Sequence, residues 1–99
     1  MGLTFIDMFN ACGNVTKDDF IPMKHMKTPV TQQHTGLDSL DMALFLAYMA
    51  DLYGAPDSED VDQWPLTSIQ DLKDHIMTVK TLDPEKIYDT MEAVAEAVR

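Results

Sequence analysis

Three groups of side chains in this sequence bring reactive or ligating chemistry into close spacing, and the sharpest is built on a serine. In Gly36-Leu37-Asp38-Ser39-Leu40-Asp41-Met42 the serine follows an aspartate suited to a helix N-cap, which puts Ser39 on the first helical position. A phosphate esterified to that hydroxyl would meet the unpaired backbone amides at the positive end of the helix dipole, with Asp38 and Asp41 opposing it in part. Serine at a helix start is also ordinary capping chemistry. Ser39 lacks the Gly-x-Ser-x-Gly elbow of a hydrolase, and no acid or histidine is placed by sequence to activate it; His34, five residues upstream, reads as an exposed loop histidine. The second group pairs Cys12 with His25 or His34, but Cys12 falls on the apolar face of a helix, where a small buried hydrophobe is the better account. The third is Asp57, Glu59, Asp60 and Asp62, which lacks the sixth-position glycine and late glutamate of a calcium loop and reads as a solvated, negative helix start.

The elements that must position these groups are helical, because the apolar residues recur at helical spacing and nowhere alternate as in half-buried strands. Leu3, Phe5, Ile6, Phe9 and Cys12 predict a first helix over 3–12, with Gly13-Asn14 as its stop. A long loop over 16–35 follows, anchored by Phe20, Ile21 and Val30. The second helix runs over 39–53, between the Asp38 cap and Gly54 with Pro56. A short third helix is expected over 57–63. Thr67-Ser68 caps a fourth carrying Ile69, Leu72 and Ile76, and Asp83-Pro84-Glu85 opens a fifth carrying Ile87, Met91, Val94 and Val98. Met42, Met49 and Met77, out of eight methionines, belong to an adaptable interior, with Trp64 expected to seal it.

With the serine at its centre, the chain resembles the acyl carrier proteins. A Gly-x-Asp-Ser-Leu motif opens the second of several helices after about 35 residues of helix and loop. Tyr53-Gly54, the acidic turn and Thr67-Ser68-Ile69-Gln70-Asp71-Leu72 follow at the offsets that family shows. The resemblance spans about 3–77 and is specific from 36 to 76. It implies an all-α fold, a small acyl-carrier-like four-helix bundle over 1–80; residues 81–99 extend past the usual end of that domain, and their apolar stripe predicts an additional C-terminal helix packed on it. It further implies that Ser39 carries a covalent 4′-phosphopantetheine arm, installed from coenzyme A by a phosphopantetheinyl transferase that recognises Asp38 and Leu40. Acyl intermediates would ride on the arm as thioesters in a specialised lipid, fatty-acid or polyketide pathway. Leu37, Asp41, Ala43, Leu44 and Ala47 would then face the acyl-loading and acyl-processing enzymes, and the protein itself would catalyse nothing. An aminoacyl or peptidyl carrier is an alternative, although glycine more often precedes the serine there. An unmodified helical adaptor is another.

Several features depart from that pattern. Thr35 stands where the family commonly has leucine, and Lys24, His25 and Lys27 occupy a loop usually acidic or neutral. The outer face of the second helix carries Leu40, Ala43, Leu44, Ala47 and Ala50, with Asp51 its only charge, where several glutamates are usual. A helix apolar all round must be covered. The stripe of the fifth helix could cover it, and docking there would mask the surface near Ser39.

Length and charge close off other classes. The chain of 99 residues forms one domain, and its formal charge of −10 repels phosphate backbones, so no nucleic-acid partner is expected. The longest apolar run, 42–50, is well short of the roughly 20 residues a spanning helix needs, so no membrane insertion is expected. One cysteine forms no internal disulfide, and the start lacks the pattern of a secretory leader. A cytoplasmic monomer is the expectation.

Overall fold

The computed structural model describes residues 2–99, which form an all-α bundle of six helices and one 3-10 turn. Helix α1, Phe5–Thr16, begins at a reciprocal cap in which the Asp7 amide donates to Thr4 Oγ1 (3.3 Å) and the Thr4 amide donates to Asp7 Oδ2 (2.8 Å). It runs through Gly13 and past the stop expected there. That glycine serves close packing: a Cβ on Gly13 would lie 2.4 Å from the Phe20 ring, so only a bare Cα lets the loop residue lie against the helix.

The segment after α1 is tied down by polar contacts as much as by apolar ones. The buried Asn10 side chain donates to the Met23 carbonyl (2.9 Å) and accepts from the Met23 amide (2.8 Å), giving an internal loop the pairing a strand neighbour would provide. Phe20, Met23 and Val30 are buried, whereas Ile21, expected as an anchor, is exposed: its backbone binds the Thr35 carbonyl and its side chain faces water. The 16–35 segment is also not wholly irregular. Thr31 caps a single helical turn, α2, Gln32–Thr35, which Gly36 ends at φ 78°.

Helix α3, Ser39–Tyr53, follows the expected bounds, with Asp38 as N-cap and Gly54 at φ 64° as C-cap. It lies antiparallel to α1: Phe5 packs near Tyr53, Phe9 meets Phe45 edge-on at 4.7 Å, and Lys17, just past α1, reaches Asp41. Phe45, Leu46, Met49, Leu52 and Tyr53 are buried, and Met42 and Met77 pack half-buried against them. The helix expected over 57–63 is reduced to the 3-10 turn Val61–Gln63, because Val61 is the one apolar residue in that stretch and offers no face to bury.

Helix α4, Ile69–Val79, starts at Ser68, whose Oγ accepts from the Asp71 amide (3.0 Å). The expected fifth helix is divided. The turn α5, Pro84–Ile87, ends at an extended Tyr88, and α6, Met91–Val98, restarts where Thr90 accepts from the Ala93 amide. A local cap thus overrides the continuous apolar period, and Ile87, expected on the buried stripe, is 56% exposed. Val94 and Val98 are buried, with α6 packed mainly on α1 and less on α3.

Candidate functional site

Ser39 occupies the first position of α3 with its side chain exposed. What holds it there is a reciprocal cap around it: the Asp41 amide donates to Asp38 Oδ1 (2.9 Å), and the Asp38 amide donates to Asp41 Oδ2 (3.2 Å). Lys17 Nζ donates to that same Asp41 oxygen at 3.0 Å. The Lys17 hydrogen bond, then the Asp38 backbone, hold the Asp41 carboxyl below the usual carboxylate range, and Asp41 in turn raises Lys17. The carboxylate that would oppose an anion on Ser39 is therefore matched by a cation brought in from the end of α1. Sequence spacing gave no sign of this pair, whose members are 24 residues apart.

Upstream, the buried Thr35 hydroxyl donates to the Thr31 carbonyl (2.8 Å) and accepts from the Leu37 amide (3.1 Å). This explains the departure at position 35, since leucine could make neither bond. Gly36 is at φ 78°, and a Cβ there would lie 3.2 Å from the Asp19 carbonyl, so the turn into α3 requires glycine. Leu37 is buried, which corrects the expectation that it faces partners; it anchors the approach to Ser39 from inside. His34 is exposed on α2, its Nδ1 2.8 Å from Thr31 Oγ1.

The outer face of α3 is open. Leu40 is 83% and Leu44 45% exposed, and Ala43 and Ala47 are exposed beside them. The C-terminal segment does not cover this face, contrary to the docking expected there. It packs at the other end of α3 instead, where the amides of Thr81 and Leu82 both donate to the Tyr53 carbonyl (2.9 and 3.1 Å) and Tyr53 Oη donates to Glu85 Oε1 (2.7 Å). Fifteen helical residues at 1.5 Å each separate that clasp from Ser39 by about 20 Å.

The other two constellations take structural roles. Burial pushes the Cys12 thiol up to about 12, the reverse of what a nucleophile needs, while His25 and His34 are exposed. In the acidic turn, Glu59 Oε1 accepts from Trp64 Nε1 (2.9 Å) and lies 2.7 Å from His75 Nε2, and the contact with His75 holds Glu59 below the usual carboxylate range. Asp60 caps the 3-10 turn through the Asp62 amide. Trp64 is buried against this pair, its ring 5.6 Å from that of His75. No three acidic, histidine or cysteine side chains converge as a metal site among the described residues, and no described helix is long and apolar enough to cross a membrane.

No protein-family model, curated protein or solved structure matches this chain.

Proposed function

We propose that this chain is an acyl carrier protein, with Ser39 as the attachment point of a 4′-phosphopantetheine arm. The observation that carries the reading is an exposed serine at the first position of a long helix whose cap, approach and far end are all fixed. A tethered arm needs a hydroxyl open to a modifying enzyme on a firmly held base, and the exposure of Ser39 and the hydrogen-bonded cap around it support both. The new phosphodiester would sit at the amides of the first turn, where backbone donors have no intrahelical partner, beside an aspartate already neutralised by Lys17. Asp38 and Leu40 flank it for transferase recognition, and the thiol of the arm would carry the acyl group as a thioester between partner enzymes. The face those enzymes would meet, Leu40, Ala43, Leu44 and Ala47, is apolar. That chemistry favours dedicated partners with apolar surfaces over the basic patches that acidic carriers use, and so a specialised pathway. The same open leucines would serve an unmodified adaptor equally well.

Intact-mass measurement after incubation with coenzyme A and a broad-specificity phosphopantetheinyl transferase separates the two. The expected result is a gain of one phosphopantetheine on the wild type and none on Ser39→Ala. An unmodified wild type removes the carrier reading and leaves the adaptor.

A further inference from the structure

A second site lies at the start of α1, the end of that helix opposite Lys17. There the first turn of α1, the 24–26 loop and α4 enclose a groove of about 290 Å³, close to the lower limit of small-ligand pockets and equal to about ten waters of liquid. Its floor is apolar, formed by Phe5, Ile6 and Met26. The groove is held open by backbone pairing: the Gln70 amide donates to the Met26 carbonyl (2.8 Å) and the Ile69 amide to the Thr28 carbonyl (3.0 Å), which fixes the loop against the start of α4.

Two cations line it, Lys24 from the loop and Lys73 from α4. Among the described residues neither ammonium has a carboxylate or other hydrogen-bond partner, although the chain holds seventeen carboxylates against seven Lys and Arg. Lys17, Lys80 and Arg99 are paired with acids; among the described residues Lys27 and Lys86 are not, and what sets Lys24 and Lys73 apart is that both line one groove. No acid among the described residues lines the groove, and the acids that its lining residues touch are engaged locally, Asp7 by the Thr4 amide and hydroxyl and Asp74 by the Gln70 side chain. Two unmatched positive charges beside an apolar floor, in a molecule of net charge −10, are complementary to one kind of ligand.

We infer that this groove binds a small amphipathic anion, an aliphatic carboxylate whose chain lies on Phe5, Ile6 and Met26 and whose head group is held by Lys24 and Lys73. The inference is independent of modification at Ser39. The test is titration of the full chain with decanoate, followed by calorimetry and by amide spectra. Saturable one-to-one binding is expected, with shifts at Ile6, Lys24, Met26 and Lys73. Lys24→Gln and Lys73→Gln, which break no ion pair, should each weaken binding about tenfold, the scale of one charge-assisted hydrogen bond. Lys27→Gln, outside the groove, and Ser39→Ala should bind as the wild type does. Equal affinity for decanol, uptake that does not saturate, or indifference to both lysine variants would overturn the assignment. An oligoglutamate peptide binding more tightly than decanoate would overturn it too, in favour of an acidic protein partner.

Discussion

The two ends of α3 are built differently. At its C-terminal end Tyr53 is buried, its carbonyl accepts from the amides of Thr81 and Leu82, and its hydroxyl donates to Glu85. Burial and Glu85 both push the Tyr53 hydroxyl up, so it stays a donor at any physiological pH. At the N-terminal end the Asp38–Asp41 cap and Lys17 hold the first turn and buried Leu37 anchors the approach, while the side chains of Ser39 and Leu40 are left in water. A helix anchored at one end and through its inner face can present the other end without stiffening cost there. The difference therefore separates the residues that carry stability from those available for chemistry.

Substitutions test that separation, beginning at the sealed end. Tyr53→Ala should cost about 3–5 kcal/mol, the range for deleting a buried aromatic side chain, read as a fall in the denaturation midpoint. Leu40→Ala, at an apolar but exposed position, should stay within about 0.5 kcal/mol. Similar losses for the two would show that the open end is not open. Asp38→Ala lies between them: losing the cap should cost about 1 kcal/mol and lower the helicity of α3 without changing the core.

The smallest effect is one of pH. The Asp41 carboxyl is held low in the fold, so its contribution is present above the ordinary carboxylate range and is lost as pH falls through its folded value. Glu59 and Asp83 are lowered in the same direction, by His75 and Lys80 respectively, and should act alike. Acid should therefore destabilise the fold, and Lys17→Met should shrink the part of that loss due to Asp41. Both partners remain partly in contact with water, so the change should be modest and should diminish in high salt. A Lys17→Met protein with an unaltered acid limb would show that the pair adds nothing at the open end.

Local signals were legible where they decide structure alone. The bounds of α3 follow from Asp38, Asp41 and Gly54, because a cap is a contact between residues three apart and a left-handed stop is a property of one residue. Gly13 has the same composition signal as Gly54 and a different cause, since its need is space for the Phe20 ring, which no window around Gly13 contains. The C-terminal periodicity misled for a related reason: Ile87, Met91, Val94 and Val98 keep helical spacing through a break that Tyr88 and the Thr90 cap impose. The exposed serine was readable from its motif, whereas Leu37, two residues earlier, is buried and not offered to partners.

By itself the sequence determined that the chain is all-helical, where its longest helix begins and ends, and that a serine stands first in that helix. Those are consequences of near-neighbour sterics and hydrogen bonding. Only the tertiary structure decided that Lys17 neutralises Asp41, that Glu59 serves Trp64 and His75, and that Lys24 and Lys73 flank one groove. It also decided that the C-terminal segment clasps Tyr53 and α1 and leaves Leu40 and Leu44 bare. Each of those depends on which apolar stripe buries the most area against which neighbour, a competition among all faces of the molecule at once that no local spacing records.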